Sequence, residues 1–290
     1  MDLVRLIEAF KKNEWIAPRI SHIELIDKKD ASYSEINNDY PDKIASYLKN
    51  RGIKLYSHQY KVLKGVRNGE NVIITTPTAS GKTLAFNIPI FERLNEQKDA
   101  KALYIYPTKA LTNDQLKVVK EMEEGTEIKV NPAVYDGDTP RSKRVAIRKS
   151  SRIILSNPFE IHEILPWHQK WGAFFSNLNF IVLDEAHTYR GVFGSNVALL
   201  IRRLLRICSL YGSSPQIIIS SATLANPEEF ANKLTGLDFT LVNEDGSPRG
   251  RKYFVLYNPY FSGIGALSTY EETKNLFILL IENGLQTLCF

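Results

Sequence analysis

Cysteine is scarce in this chain, and long apolar runs are lacking. Only Cys208 and Cys289 occur among 290 residues, without metal-ligand spacing, so neither a disulfide framework nor a cysteine-bound zinc ion is expected. No run of about 18 uncharged apolar residues is present, so the sequence predicts no transmembrane helix. The first residues read as a short amphipathic helix with acids at Asp2 and Glu8, unlike a signal peptide. These absences favour a reducing, cytoplasmic location without a membrane partner.

The histidines and the net charge exclude fewer classes of function than the absences above. The sequence has five histidines and a formal net charge of +5. His162 and His168 lie among aromatic residues with no cysteines beside them, so we interpret both as structural. A mild basic excess suits a phosphate-rich partner, although many proteins that bind none share it. Charge alone therefore identifies no function.

Short apolar runs alternate with helix-like segments along the chain. Each run is rich in Ile, Val, Leu or Tyr and is bounded by turn or polar residues, which is typical of buried parallel strands. The predicted strands are 72–75, 102–106, 152–156, 180–183 and 216–220. The clearest predicted helices between them are 83–94, 111–124 and 196–210. This alternation predicts an α/β fold with a mainly parallel sheet flanked by helices.

The segment TPTASGKT at 76–83 follows the first of these strands and precedes a helix. A strand, a loop and a helix that starts with Gly-Lys-Thr form the architecture of a phosphate-binding loop. In such a loop backbone N–H groups surround the phosphates, the lysine reaches the β- and γ-phosphates, and the threonine hydroxyl coordinates Mg²⁺. Thr76 stands where the strict pattern has glycine, and a Gly-Lys-Thr sequence also arises by chance. The residues predicted to bind nucleotide here are Thr78, Ala79, Ser80, Gly81, Lys82 and Thr83.

The tetrapeptide DEAH follows the apolar run 180–183. In a phosphate-loop ATPase an acid at this point holds Mg²⁺, and a second acid orients or deprotonates the attacking water. We assign the first role to Asp184 and the second to Glu185. The predicted catalytic residues are thus Lys82, Asp184 and Glu185, and the predicted metal ligands are Thr83 and Asp184. The alternative is a helix N-terminus whose acids merely favour the helix dipole.

Two hydroxyl residues, Ser221 and Thr223, follow the run 216–220. Ligands bind at the carboxyl ends of parallel strands, so we expect these hydroxyls to hydrogen-bond to the acids of DEAH. The alternative is an N-cap for a helix beginning near Pro227.

The segments GKT, PTKAL at 107–111, DEAH and SAT, in this order and each after a strand, resemble the first motor domain of superfamily 2 helicases. The resemblance runs from about Tyr56 onward and implies a RecA-like fold and ATP-dependent helicase activity. Finer segments are similar to one branch, the mitomycin-repair-type DNA helicases with a cysteine-rich C-terminal domain. Those segments are SNPFEIHEILPWHQKW, FSNLNFIVLDEAHTYRGVFGSNVALLIRRLLRIC and NEDGSPRGRKYFVLYNP. The branch implies DNA unwinding with 3′→5′ polarity and a role in DNA repair.

The same resemblance implies nucleotide and nucleic-acid contacts outside the loop. Gln59 in LYSHQ is similar to the glutamine that reads the adenine of ATP, since an amide satisfies both N6 and N7. Tyr56 is placed to stack on the base, and a core tyrosine is its alternative. His187 resembles the histidine that couples nucleotide state to strand binding, together with Ser221 and Thr223. The residues that match the family's nucleic-acid contacts are Pro107, Thr108, Lys109, Gly137, Asn157 and Pro158.

Basic residues at 141–149 read either as further phosphate contacts or as a solvated helix face. Arg190 and the loop 191–194 are expected at the same junction as the coupling histidine.

From the resemblance we predict an N-terminal extension at 1–50, a first RecA-like domain at 51–236, a closing hairpin and linker at 237–269, and the start of a second RecA-like domain at 270–290. QTLCF reads as a strand that is just starting. In these motors ATP lies between two such domains, and arginines of the second stabilise the transferred phosphoryl group. We therefore expect the chain alone to bind Mg·ATP weakly and to hydrolyse it slowly. DNA is the favoured partner, an RNA helicase and a nucleotide-gated binding module without unwinding are the alternatives, and no oligomeric state is predicted.

Overall fold

The structure is a computed structural model that describes residues 3–34, 40–260 and 268–290. The chain divides into two compact units, a larger one of Ala31–Ser247 and a smaller one of Met1–Asp30 with Pro248–Phe290. The helices are α1 (Leu3–Lys12), α2 (Asp42–Asn50), α3 (Ser57–Arg67), α4 (Lys82–Glu96), α5 (Lys109–Thr126), α6 (Arg141–Ser150), α7 (Pro158–Ile164), α8 (Gly172–Phe175), α9 (Gly191–Leu210), α10 (Pro227–Thr235) and α11 (Thr269–Glu282). The strands are β1 (Ile20–Ile26), β2 (Val72–Thr75), β3 (Lys101–Ile105), β4 (Ala133–Val134), β5 (Ile153–Ser156), β6 (Leu178–Leu183), β7 (Gln216–Ser221), β8 (Thr240–Val242) and β9 (Lys252–Tyr257).

The larger unit is built on a seven-stranded sheet in the order β4-β5-β3-β6-β7-β2-β8. All of its strand pairs are parallel. The carboxyl ends of the strands therefore meet at one edge, where ligands bind in folds of this kind. The predicted α/β fold with a parallel sheet flanked by helices is confirmed.

The five central strands, β2, β3, β5, β6 and β7, are almost fully buried because helices cover both faces of the sheet. Successive side chains of a strand point to opposite faces, so Ile73 and Ile74 of β2 enter different core clusters. Helix α4 packs Phe86 into the cluster that contains Ile74, and α9 packs Leu204 into the other. Cys208 of α9 is fully buried there, and burial raises the pKa of its thiol to about 11. This cysteine is a core residue.

The smaller unit pairs two segments that are far apart in the sequence. Strand β1 lies antiparallel to β9, with Ile23 opposite Val255. The guanidinium of Arg19 is fully buried, stacks 3.7 Å from the ring centroid of Trp15 and lies 3.6 Å from an oxygen of Glu272. Glu272 also accepts hydrogen bonds from the Trp15 indole N–H, at 3.2 Å, and from the Tyr257 hydroxyl, at 2.8 Å. A buried, hydrogen-bonded ion pair thus ties both segments together.

The structure corrects two expectations near the end of the chain. The predicted hairpin within 237–269 is wrong, because β8 adds a parallel strand beside β2 whereas β9 pairs with β1. Residues 285–290, predicted to start a strand, adopt no regular structure, and no strand among the described residues pairs with them. Part of the predicted linker, at 261–267, and part of the predicted extension, at 1–2 and 35–39, lie outside the described residues. The second RecA-like domain stays a prediction.

Candidate nucleotide and nucleic-acid site

The phosphate loop connects the buried strand β2 to the first turn of α4. The loop closes on itself, because the hydroxyls of Thr76 and Ser80, both buried, are 2.7 Å apart. Ala79 and Gly81 adopt left-handed backbone angles, with φ of 63° and 83°. A Cβ on Gly81 would lie 2.5 Å from the amide nitrogen of Gln59, so glycine is required there on two grounds. Thr76, which replaces the usual first glycine, thus has a structural role in the loop.

Lys82 is the first residue of α4 and lies over the loop. Its ammonium donates to the carbonyl oxygens of Thr76 and Pro77, at 2.9 and 2.8 Å. Burial lowers the pKa of Lys82, and the carboxylates of Glu185 and Asp184 oppose that shift. The structure therefore brings together the lysine and both acids that the sequence assigns to catalysis.

Two residues at the start of α3 hold the loop from the side. The Gln59 amide nitrogen donates to the carbonyl of Gly81 at 2.9 Å, and its oxygen accepts from the N–H of Tyr56 at the same distance. Gln59 is thus placed beside the loop as expected. His58, which sequence reasoning missed, is fully buried with one ring nitrogen 3.0 Å from the carbonyl of Ser80. Its other ring nitrogen accepts from the N–H of Gly246 at 3.0 Å, so the imidazole is neutral and joins the loop to the 245–247 turn.

Tyr56 does not stand alone as an aromatic platform. Its ring stacks with that of Tyr33 at 5.5 Å and with that of His58 at 5.8 Å between centroids. The ring of Tyr33 is half exposed. Tyr56 thus belongs to an aromatic cluster. Its stacking on a base stays a prediction.

The DEAH acids sit at the end of β6 in contrasting settings. Asp184 is buried, and desolvation raises the pKa of its carboxyl despite the hydroxyl of Ser220 and the N–H of Glu185, which donates to it at 2.9 Å. Glu185 has a left-handed φ of 49°, which is uncommon for a residue with a long side chain. Its carboxylate lies 3.3 Å from the Nδ1 of His187. The backbone here is held in a strained turn that presents one buried and one half-exposed acid.

Strand β7 lies in the sheet between β6, which ends at the DEAH turn, and β2, which ends at the phosphate loop. The Ser221 hydroxyl, fully buried, accepts from the N–H of His187 at 3.1 Å. The expected hydrogen bond from this hydroxyl to a DEAH acid is thus replaced by one from the backbone of His187. Thr223 lies farther on, at an exposed position beyond the strand, and is not brought to the acids in the same way.

The residues present fit Mg²⁺ and a triphosphate. A buried carboxylate with a raised pKa, as at Asp184, is an environment that a divalent cation compensates. Thr83, in the first turn of α4, and Asp184 would hold the ion, and N–H groups of the loop would hold the phosphates. The bound ion would neutralise charge on the phosphoryl oxygens.

The other half of the same edge carries the predicted nucleic-acid contacts. Thr108 caps α5, accepting from the N–H of Leu111 at 3.4 Å, and Lys109 follows it on the surface. The Lys109 ammonium lies 2.7 Å from a carboxylate oxygen of Asp138, and this hydrogen bond raises its pKa. Gly137 lies beside it, with room for a Cβ 3.8 Å from the ammonium. The segments that follow β3 and β4 are thus joined by the ion pair between Lys109, which is exposed to solvent, and Asp138.

Asn157 and Pro158 begin α7 at the end of β5. The Asn157 side chain caps the helix by accepting from the N–H of Glu160 at 3.1 Å, and Pro158 takes the first helical position, where no N–H is needed. Both residues are buried, and Pro107 after β3 is partly buried. Their positions at this edge agree with the prediction, but the Asn157 amide oxygen already serves the helix.

One arginine of the basic segment is structural. Arg144 donates to the carbonyls of Thr139, at 3.0 Å, and Asp136, at 2.8 Å, and to the carboxylate of Glu160, at 2.9 Å. The Glu160 side chain is 8% exposed and that of Arg144 is 26% exposed. Sequence reasoning placed Arg144 in a general basic face, whereas it fixes the turn after β4 to helix α7.

Comparison with known proteins identifies the family. The family profile of DEAD/DEAH box helicases matches residues 56–230, which include the phosphate loop, the DEAH turn and Ser221. The chain belongs to the DEAD/DEAH box helicases. Within that family, the ATP-dependent helicase YprA of Bacillus subtilis (strain 168) is 44% identical over 293 residues, or 99% of this chain and 39% of that protein. ATP-dependent helicase HRQ1 of Saccharomyces cerevisiae is 36% identical, over 99% of this chain and 27% of that protein.

Solved structures give the same assignment. The DUF1998 helicase MrfA bound to DNA and AMPPNP matches with a TM-score of 0.91 and 41% identity, over 98% of this chain and 40% of that one. The resemblance to superfamily 2 and to this branch is confirmed. This DEAD/DEAH chain spans between 27% and 40% of the length of these relatives. Within the described residues, no helix combines the length and apolar character needed to cross a membrane.

Proposed function

We propose that this chain binds Mg·ATP and single-stranded nucleic acid as the first motor domain of an ATP-dependent DNA helicase. One observation carries the proposal. The sheet order puts the phosphate loop, the SAT segment and the DEAH turn on three adjacent strands, β2, β7 and β6, and the predicted nucleic-acid contacts on the next three, β3, β5 and β4. Both ligands would therefore bind one edge of one rigid sheet, with the DEAH turn between them.

DNA is the proposed partner of the whole protein, with 3′→5′ translocation, in the cytoplasm. The support is that MrfA was crystallised with DNA and that Hel308 of Pyrococcus abyssi, 32% identical over 253 residues, is named an ATP-dependent DNA helicase. In this proposal Lys82 contacts the phosphates, Thr83 and Asp184 hold Mg²⁺, and Glu185 orients water. His187, with its N–H on Ser221, couples the two ligands.

Nucleotide binding is tested with a fluorescent ATP analogue and Mg²⁺. We expect Lys82→Ala to weaken binding about 10- to 150-fold, the worth of a charge-assisted hydrogen bond of about 1.5–3 kcal/mol. Lys149→Ala, at an exposed position of α6, is the control and should bind as the unaltered chain does. Equal affinity of Lys82→Ala and the control would refute the nucleotide site.

Nucleic-acid binding is tested with matched single-stranded DNA and RNA in fluorescence anisotropy. We expect affinity for DNA that falls as salt rises, as phosphate contacts require. Exclusive RNA binding would refute the DNA assignment. Polarity is tested with the whole protein on duplexes that carry a 3′ or a 5′ tail, and unwinding from the 5′ tail alone would contradict it.

A further inference from the structure

A large aromatic side chain is exposed next to the predicted nucleic-acid contacts. Phe159, in the first turn of α7, exposes 69% of its surface, although phenylalanine is normally a core residue. Its ring stacks on that of Phe193 in α9, with centroids 5.9 Å apart and an angle of 21° between the planes. The two phenylalanines form a pair, the Phe159–Phe193 platform, with one ring largely open to solvent.

The sheet explains why these two residues meet at the nucleic-acid edge. Strands β5 and β6 are the two neighbours of β3. Phe159 comes two residues after Asn157 at the end of β5, and Phe193 follows the DEAH turn at the end of β6. The platform therefore lies at the carboxyl edge, among helix starts that flank the strand end of Pro107 and Lys109.

The surface around the platform forms a mainly apolar groove. A groove of about 510 Å³ between α7 and α9 is lined by both phenylalanines and by Pro158, Val197 and Leu199, with Arg203 also on its wall. A phenyl ring offers no hydrogen bond to a phosphate, so the backbone of a strand is not its ligand. The flat face of a nucleobase suits such a ring, since bases stack on aromatic rings whatever their identity.

We propose that a nucleobase of the bound strand stacks on the exposed face of Phe159 and that Phe193 backs this ring from below. The inference rests on the proposed function, because it assumes that a strand occupies the edge. It adds a contact that does not depend on charge and has no sequence preference to the phosphate contacts of that edge. Asn157 and Pro158 immediately before the platform supply continuity with the predicted strand path.

The experiment compares two oligonucleotides with the same phosphates, an ordinary single-stranded DNA and one made of abasic sugars. The proteins are the unaltered chain, Phe159→Ala and Phe159→Tyr. We expect Phe159→Ala to weaken binding of the ordinary strand about 5- to 150-fold, the range for loss of one stacked base. Phe159→Tyr should bind as the unaltered chain does, because tyrosine keeps the ring.

Two further readouts separate stacking from general damage. The abasic strand should bind Phe159→Ala and the unaltered chain equally, and the slope of log affinity against log salt should be the same for both proteins because no phosphate contact is lost. Equal weakening on both strands, or no weakening on either, would overturn the platform, and the groove would then belong to a protein contact. If the unaltered chain bound neither strand, the proposed function itself would fail.

Discussion

The two halves of the carboxyl edge are built differently. On the nucleotide half, backbone and charge are held in unfavourable states: Glu185 has a left-handed backbone, Asp184 is a buried acid with a raised pKa, and Lys82 is a partly buried amine with a lowered pKa. On the nucleic-acid half, Asn157 caps a helix and Arg144 satisfies two carbonyls and a carboxylate. The nucleotide half contains a strained backbone and desolvated charges, whereas the polar groups of the nucleic-acid half form hydrogen bonds within the protein.

The difference indicates what each half does with its ligand. Strain and desolvated charge collect at sites where a ligand compensates them, so the nucleotide half gains most from binding. The satisfied half presents a stable surface with exposed groups such as Lys109 and Phe159, which in the proposed function would contact the strand. Removing a desolvated charge from the nucleotide half should therefore raise the free energy of unfolding, whereas removing a hydrogen-bond donor from the satisfied half should lower it.

The largest effect is expected on the satisfied half. Arg144→Ala should lower the free energy of unfolding by about 2–4 kcal/mol, because it leaves the Glu160 carboxylate and two carbonyls without their donor. Urea unfolding measures this loss. Arg141→Ala, exposed on the same helix, is the control. Similar losses for both variants would mean that Arg144 belongs to a solvated face after all.

Gly81→Ala tests the strained loop. We expect a loss of about 1–3 kcal/mol together with weaker nucleotide binding, because φ is 83° and the new Cβ would displace the Gln59 amide. Gly52→Ala is the matched control, with φ of 62° and open space around it, so it should show the backbone cost alone. If both variants bound nucleotide equally well, the contact between Gly81 and Gln59 would have no part in the site.

Asp184→Asn should raise stability while removing Mg²⁺-dependent binding. We expect a gain of about 0.5–2 kcal/mol near neutral pH, a size common when a functional site is relieved. Because burial raises the folded-state pKa of this acid above its ordinary value of 3.8, the charged form costs stability. The gain should therefore be absent below that ordinary value and complete above the folded pKa, as unfolding curves over pH would show. A loss of stability at neutral pH would contradict a desolvated carboxylate here.

The smallest effect on the fold is expected at Lys109. Lys109→Ala should leave the unfolding midpoint almost unchanged, because its ion pair with Asp138 is exposed. It should lower the slope of log affinity against log salt by about one for single-stranded DNA. Lys117→Ala, exposed on the same helix and paired with Asp114, should leave the slope unchanged. Equal slopes for the two variants would remove Lys109 from the strand path.

The residues that the sequence could predict are those at strand ends. Lys82, Asp184 and Ser221 were found because each sits at a fixed offset from an apolar strand, and adjacent strand ends bring such offsets together. The roles of His58 and Arg144 depend on partners outside their own helices, Gly246 and Glu160, which no local pattern specifies.

The strands were predicted for a related reason, and the errors have a physical source. Strand β5, predicted at 152–156, is fully buried and reads as a continuous apolar run. Strand β9 lies within the segment predicted as a hairpin, and nothing in its alternation indicates that β1 is the partner. No local pattern in the sequence indicates that the first turn of α7 leaves Phe159 exposed.

The pairing of β1 with β9 also bears on how the chain folds as it is made. Strand β1 leaves the ribosome early, yet its partner is translated only after the whole larger unit, which at about 5–20 residues per second means a wait on the order of ten to forty-five seconds. During that interval β1 is an unpaired edge, and its polar residues Ser21, His22 and Glu24 oppose association with other chains. The larger unit contains all the strands of its own sheet, so it can form before β9 is made. Synthesis thus imposes an order in which the parallel sheet precedes the closure of the small antiparallel one.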